Sequence, residues 1–144
     1  MVFCSVLMCT VAFAQKDYSS EQRSLRDKEM SFLKTEGFQP SIDEDGDIKF
    51  KRQGDIYYVI VSDSDSNPMY LRLIKQFDFS GGISKANIDN YAREVNKYKM
   101  CKLIVNDNSF TICMEMYLTS ASAFTSIFYK VISVMDGAEE EFND

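Results

Sequence analysis

A chain of 144 residues with 45% apolar and 26% charged side chains has the size and apolar content of one domain with a buried core, and is too apolar for a disordered polymer. A formal charge of −6 and a pI near 4.7 work against nucleic-acid binding, because an acidic surface repels phosphates. The absence of histidine excludes Ser–His–Asp and Cys–His catalysis within the chain and removes the commonest metal ligand.

The chain opens on MVFCSVLMCTVAFA, residues 1–14, which carries no charge. This stretch is shorter than the roughly 20 apolar residues a membrane-spanning helix needs. It ends in Ala12-Phe13-Ala14, and polar Gln15-Lys16-Asp17 follows at once. Such an ending predicts a signal peptide over 1–14, a periplasmic or secreted product, and no membrane insertion after cleavage. A single α+β domain is expected over 15–137 and an acidic tail over 138–144.

Residues 19–36 read as a helix. Ser19 and Gln22 have the spacing of a capping box, Leu25, Phe32 and Leu33 form a thin apolar stripe, and Gly37 suits the C-terminal end. Strand signals follow at Phe38–Asp43 and Asp47–Gln53, with the turn pair Asp45-Gly46 between them. Ile56–Val61 is apolar on both faces and reads as a central strand, Ser62–Pro68 as a polar loop, and Met69–Phe79 as a long fourth strand.

Gly81-Gly82 breaks the pattern, and a second helix is expected from Ser84 to Met100 with Ile88, Tyr91, Ala92, Val95 and Tyr98 on one face. A hairpin follows over 101–105 and 110–118. Matching apolar to apolar pairs Val105 with Phe110, Leu103 with Ile112 and Cys101 with Met114, which sets Cys113 against Lys102 on the other face. This register argues against a Cys101–Cys113 disulfide, although an even cysteine count in an exported chain invites one. A last helix is expected over Ser120–Met135, ended by Asp136-Gly137. The order α-β-β-β-β-α-β-β-α describes an α+β fold, an antiparallel sheet with three helices.

No catalytic, cofactor-binding or metal-ligating residues emerge. Asp43-Glu44-Asp45-Gly46-Asp47 and Asp63-Ser64-Asp65-Ser66-Asn67 are calcium-loop-like in composition, but neither puts Gly at position six and Glu at position twelve. Both read as solvated acids. Gly81-Gly82-Ile83-Ser84 precedes a helix but lacks the lysine of a phosphate loop. Met114 and Met116 read as core. Tyr57 and Tyr58 fall on opposite faces of one strand, so only one of them can be a surface anchor.

The run Phe32-Leu33-Lys34-Thr35-Glu36-Gly37-Phe38, then Pro40, then Ile42-Asp43-Glu44-Asp45-Gly46-Asp47-Ile48-Lys49-Phe50-Lys51, then Gly54 and Tyr57, resembles the YbjN-like family of small bacterial domains. The resemblance covers residues 20–135. It implies a fold like that of the type III secretion chaperones and carries no catalytic residues across. The expected function is therefore a non-enzymatic binding module of an exported protein, without cofactor. Its partner would be a protein segment or a second copy, held by an open sheet face or added to a sheet edge. The alternative is a small-ligand or lipid-binding domain with an apolar pocket, and a carboxylate- or tyrosine-based enzyme is a third reading.

Overall fold

The computed structural model describes residues 17–79, 84 and 87–142, the side chain of Asp63 excepted. The expected signal peptide and the Gly81-Gly82-Ile83 stretch lie outside the described residues. Helix α1 is Ser20–Thr35, followed by strands β1 (Ser41–Ile42), β2 (Ile48–Arg52), β3 (Asp55–Ser66) and β4 (Met69–Asp78). Then come α2 (Ile88–Val95), β5 (Cys101–Val105), β6 (Ser109–Leu118) and α3 (Ala123–Glu140). The observed order is the α-β-β-β-β-α-β-β-α read from the sequence.

The six strands form one sheet in the order β1-β2-β3-β4-β6-β5, with every neighbouring pair antiparallel. Two antiparallel steps separate β4 from β5, so those two run parallel. A parallel pair needs a crossover, which α2 supplies. Helix α1 packs on β3, α3 on β5, β6 and α1, and α2 on β5 and α3.

The inward rows of the sheet are fixed by register. Ile48, Val59, Leu73, Met114 and Cys101 lie side by side across five strands, and Phe50, Tyr57, Lys75, Ile112 and Leu103 form the next row. Leu25 and Leu33 from α1 and Phe124, Phe128, Val131 and Met135 from α3 close over them. Phe50 stacks on Tyr57 with ring centroids 5.2 Å apart, and Phe128 meets Phe32, Phe38 and Phe50 at 5.2–6.0 Å. Aromatic area of this kind dominates core energetics.

Local chemistry explains the boundaries. Ser19 caps α1 in a reciprocal box: Gln22 N–H donates to Ser19 Oγ, and Ser19 N–H donates to Gln22 Oε1 at 2.7 Å. At the other end Gly37, with φ of +86°, lets Phe38 N–H reach Leu33 O at 2.9 Å and Gly37 N–H reach Lys34 O at 3.1 Å, a Schellman closure. Gln53-Gly54, both with positive φ, makes the two-residue β2–β3 turn that matches strand twist.

Four expectations need correction. The first strand is only Ser41–Ile42, since Pro40 has no N–H for a ladder. The supposed loop over 62–66 is the end of β3, after a register shift between Val61 and Ser66. Gln22 Nε2 holds that segment by donating to the carbonyls of Ser62 and Asp65. Helix α2 runs only from Ile88 to Val95, and tight turns carry the chain through Tyr98 into β5.

Helix α3 does not stop at Asp136-Gly137 but continues to Glu140, so residues 138–140 of the expected tail are helical. Ala138 is fully buried there, and Phe142 packs edge-on against Phe77 and Phe110. Asp136 bonds Arg52 at 3.0 Å, and the ring of Tyr98 lies against the bare Cα of Gly137. These two contacts outweigh a dipeptide that reads locally as a stop.

Candidate functional site: an uncovered sheet face

Side chains in a strand alternate, so a sheet whose helices all lie on one face presents the other set outward. Four outward rows follow from the register. Lys51, Ile56, Gln76, Thr111 and Ile104 form the first; Lys49, Tyr58, Ile74, Cys113 and Lys102 the second; Ile60, Arg72 and Glu115 the third; Tyr70 and Tyr117 the fourth. Among the described residues no helix packs on this face.

The face is largely apolar, with lysines at its flanks and Arg72 and Glu115 crossing its middle. Ile56, Tyr58, Ile60, Tyr70, Ile74 and Ile104 are each partly exposed, and Tyr117 is 61% exposed. Tyr70 and Tyr117 lie 5.2 Å apart as a tilted cross-strand pair. Thr111 and Cys113 are buried although they point to this side, because longer neighbours close over their small side chains. Of the two adjacent tyrosines, Tyr57 is the buried one and Tyr58 the surface one.

Polar groups on the face are ordered around Glu115. Lys102 Nζ pairs with Glu115 Oε1 at 2.6 Å. Hydrogen bonds from Lys102 and Tyr70 hold the Glu115 carboxyl below its ordinary pKa. Burial together with the bond to Glu115 pushes the Tyr70 phenol up to about 12. Lys49 sits 5.5 Å over the Tyr58 ring. A hollow of about 480 Å³ lies beside Lys49 and Lys51, lined also by Phe38, Gln39 and Ser41.

The sheet edge at β5 is less available than the face. Cys101 N–H donates to Tyr98 O at 3.2 Å, and Leu103 N–H reaches Asn96 Oδ1 at 3.4 Å. Two of the three donors that β5 turns to this edge, those of Cys101 and Leu103, are thus taken. At the far end of β3, Gln22 occupies the carbonyls of Ser62 and Asp65 in the same way.

A second polar constellation lies on the covered face. Lys75 is 2% exposed, with Nζ 2.7 Å from Asp55 Oδ2, an ion pair to Glu139, and the rings of Tyr57 and Phe77 at 5.5 and 5.2 Å. Burial works against its charge, but the bonds to Asp55 and Glu139 outweigh that, and its pKa ends above the ordinary lysine value. A lysine held so firmly as ammonium is neither nucleophile nor general base at neutral pH. With the Arg52–Asp136 pair, it ties the last turns of α3 to the sheet.

Burial pushes the thiols of Cys101 and Cys113 up to about 11, so both stay protonated. They are free and on opposite faces of the sheet, as the hairpin register requires. Asp43 Oδ1 accepts from the backbone N–H groups of Asp45 and Asp47 at 3.0 and 2.9 Å, so this acid shapes its hairpin turn. No group of three or more metal-ligating side chains is gathered among the described residues.

Sequence reasoning offered an open sheet face as one holding surface, with one of Tyr57 and Tyr58 as its anchor, but did not single out Lys75. The alternation Met69-x-Leu71-x-Leu73-x-Lys75-x-Phe77 does place that lysine among inward residues and could have marked it. No family model and no curated protein sequence matches this chain.

Proposed function

We propose that this chain is a non-enzymatic binding module of the YbjN-like kind, acting after export in the periplasm or outside the cell, which holds a protein segment on its uncovered sheet face. The carrying observation is the belt of Ile56, Tyr58, Ile60, Ile74, Ile104 and Tyr117, apolar and partly exposed across four adjacent strands. A contiguous apolar patch rimmed by charge is a common mark of an interaction surface. The acceptors already held by Cys101 and Leu103 N–H favour the face over the β5 edge. Protonated thiols and a firmly ionised Lys75 support a role without chemistry.

The small-ligand reading has weaker support. The space between α3 and the sheet, bounded by Leu71, Leu73, Met116, Phe124, Ile127, Phe128 and Val131, is too tight to admit water. Ligand pockets run to roughly 300–1,000 Å³ and are concave and mostly apolar; the hollow of about 480 Å³ beside Lys49 and Lys51 has the volume but stands open to solvent beside two lysines.

A photo-crosslinking residue placed at Tyr117, on the open face, and separately at Tyr129, exposed on the helical side, tests the reading in cells that make the protein. Protein adducts are expected from position 117 and not from 129. Equal adducts from both, or none from 117, would sink it. A native mass carrying a copurified small molecule would favour the ligand-binding alternative.

A further inference from the structure

The open face carries the opposite charge to the rest of the molecule. Across its four paired rows stand Lys49, Lys51, Arg72 and Lys102 against one carboxylate, Glu115, a net of three positive charges in a chain of −6. Asp78 lies beyond them at the rim. Glu115 pairs with Lys102, bonds Tyr70 and lies opposite Arg72, so this one carboxylate is shared between two cations. Arg72 Nε–H is buried with no acceptor, in the middle of the apolar belt between Ile60 and Glu115. A buried donor without an acceptor is uncommon in folded proteins.

Resting on the binding-module reading above, we infer that the segment held on this face is an acidic amphipathic stretch of another protein. Its apolar ridge covers Tyr58, Ile60, Ile74 and Tyr117, and its carboxylates meet Arg72, Lys49 and Lys51. Charge complementarity selects this occupant. A second copy would set two like-charged faces against each other, which opposes pairing. A basic segment would meet the same repulsion. The hollow beside Lys49 and Lys51 gives an acidic side chain room next to two cations.

The test uses the full chain and three 20-residue helical peptides with leucine at positions i, i+3, i+4 and i+7. The remaining positions are mostly glutamate in one, lysine in the second and glutamine in the third. Titration by calorimetry, with backbone amide shifts as the map, is expected to show the glutamate peptide binding at least tenfold tighter than the lysine one. Its affinity should fall with added salt, and the shifts should centre on Tyr58, Ile60, Arg72, Ile74 and Tyr117. The variant Lys49→Glu/Lys51→Glu/Arg72→Glu, with far-ultraviolet circular dichroism to verify folding, should reverse the preference.

Equal binding of all three peptides, abolished by Ile74→Asp, would overturn the acidic partner while leaving the face as the binding surface. Failure of every peptide at millimolar concentration would overturn the inference. Shifts mapping away from the face, unaffected by Ile74→Asp, would overturn the binding-module reading too. Tighter binding of phosphatidylglycerol vesicles or of single-stranded DNA than of the glutamate peptide would replace the protein partner with a lipid surface or a nucleic acid.

Discussion

Two side chains of α1 behave in opposite ways although both are polar and both are buried. Gln22 uses its whole amide: Oε1 accepts from Ser19 N–H, and Nε2 donates to the carbonyls of Ser62 and Asp65. Glu29, two turns further on, is fully buried between Leu25 and Leu33 on the same helix face, and neither carboxyl oxygen has a hydrogen-bond partner. Burial raises its pKa well above the ordinary value of 4.5, and the nearby Arg26 offsets that only in part. A carboxyl whose folded pKa is raised favours the native state below its unfolded pKa. That advantage is lost as the pH climbs above about 4.5 towards the folded value. Replacing Glu29 by Gln should therefore flatten the decline in stability between pH 4.5 and 7.5. Replacing it by Leu should add about 1–3 kcal/mol at pH 7. Urea unfolding at the two pH values decides this, and a Glu29→Leu protein less stable than the parent at pH 7 would refute it. Gln22→Glu keeps the capping acceptor but removes both donors to β3. It should cost about 1–3 kcal/mol by the same unfolding measurement, whereas no loss would mean that the strand end is held by something else.

At the scale of elements, the accuracy of the sequence reading follows how local the deciding interaction is. The β5–β6 register was legible residue by residue, because one face of that hairpin is buried and a slip of one position would expose it. The α1 cap and the Gly37 closure were legible too, being set within a few residues. The end of β3 was not, because Ser64, Asp65 and Ser66 carry no apolar alternation and the segment is held by Gln22, some 40 positions away. The end of α3 was misread because Asp136 and Gly137 make a stop signal whose meaning is reversed by Arg52 and Tyr98. A Cβ added at Gly137 would lie 3.4 Å from Tyr98 Cε1, an ordinary contact, and no positive φ obliges glycine there. Gly137→Ala should therefore gain the helix preference of alanine, about 0.5–1 kcal/mol, and raise the melting temperature. A drop instead would mean that the Tyr98 ring, whose hydroxyl donates to Glu141 Oε1 at 2.8 Å, cannot yield even that contact.

At the scale of the whole fold, the arrangement of three helices on one side of six strands among the described residues decides both what is stable and what is left to interact. The sequence marked Ile56–Val61 as apolar on both faces, and β3 is indeed an inner strand, paired with β2 and β4. A pattern cannot say whether both apolar faces are covered; that depends on every connection placing its helix on the same side. Hence the fold class and a sheet face as one possible holding surface were legible, whereas the set of residues that makes up that face, Tyr58, Ile74 and Tyr117 among them, was not. The same layering predicts a gradient of opening. Strands β4 and β6 pair with each other along their length and are flanked on their other sides by β3 over 71–76 and by β5 over 110–114, and Leu71, Leu73, Ile112 and Met114 are fully buried beneath α3. At the margins, β1 pairs through two residues and α2 is eight residues long with no side-chain cap at its N-terminus. Amides whose exchange requires global unfolding should therefore cluster in Leu71–Lys75 and Ile112–Met114, with β1 and α2 exchanging through local opening far sooner. Hydrogen exchange read residue by residue measures this directly. If the slowest amides lay instead in β1 or α2, stability would be concentrated at the rim, and a rigid central platform beneath the open face would have to be abandoned.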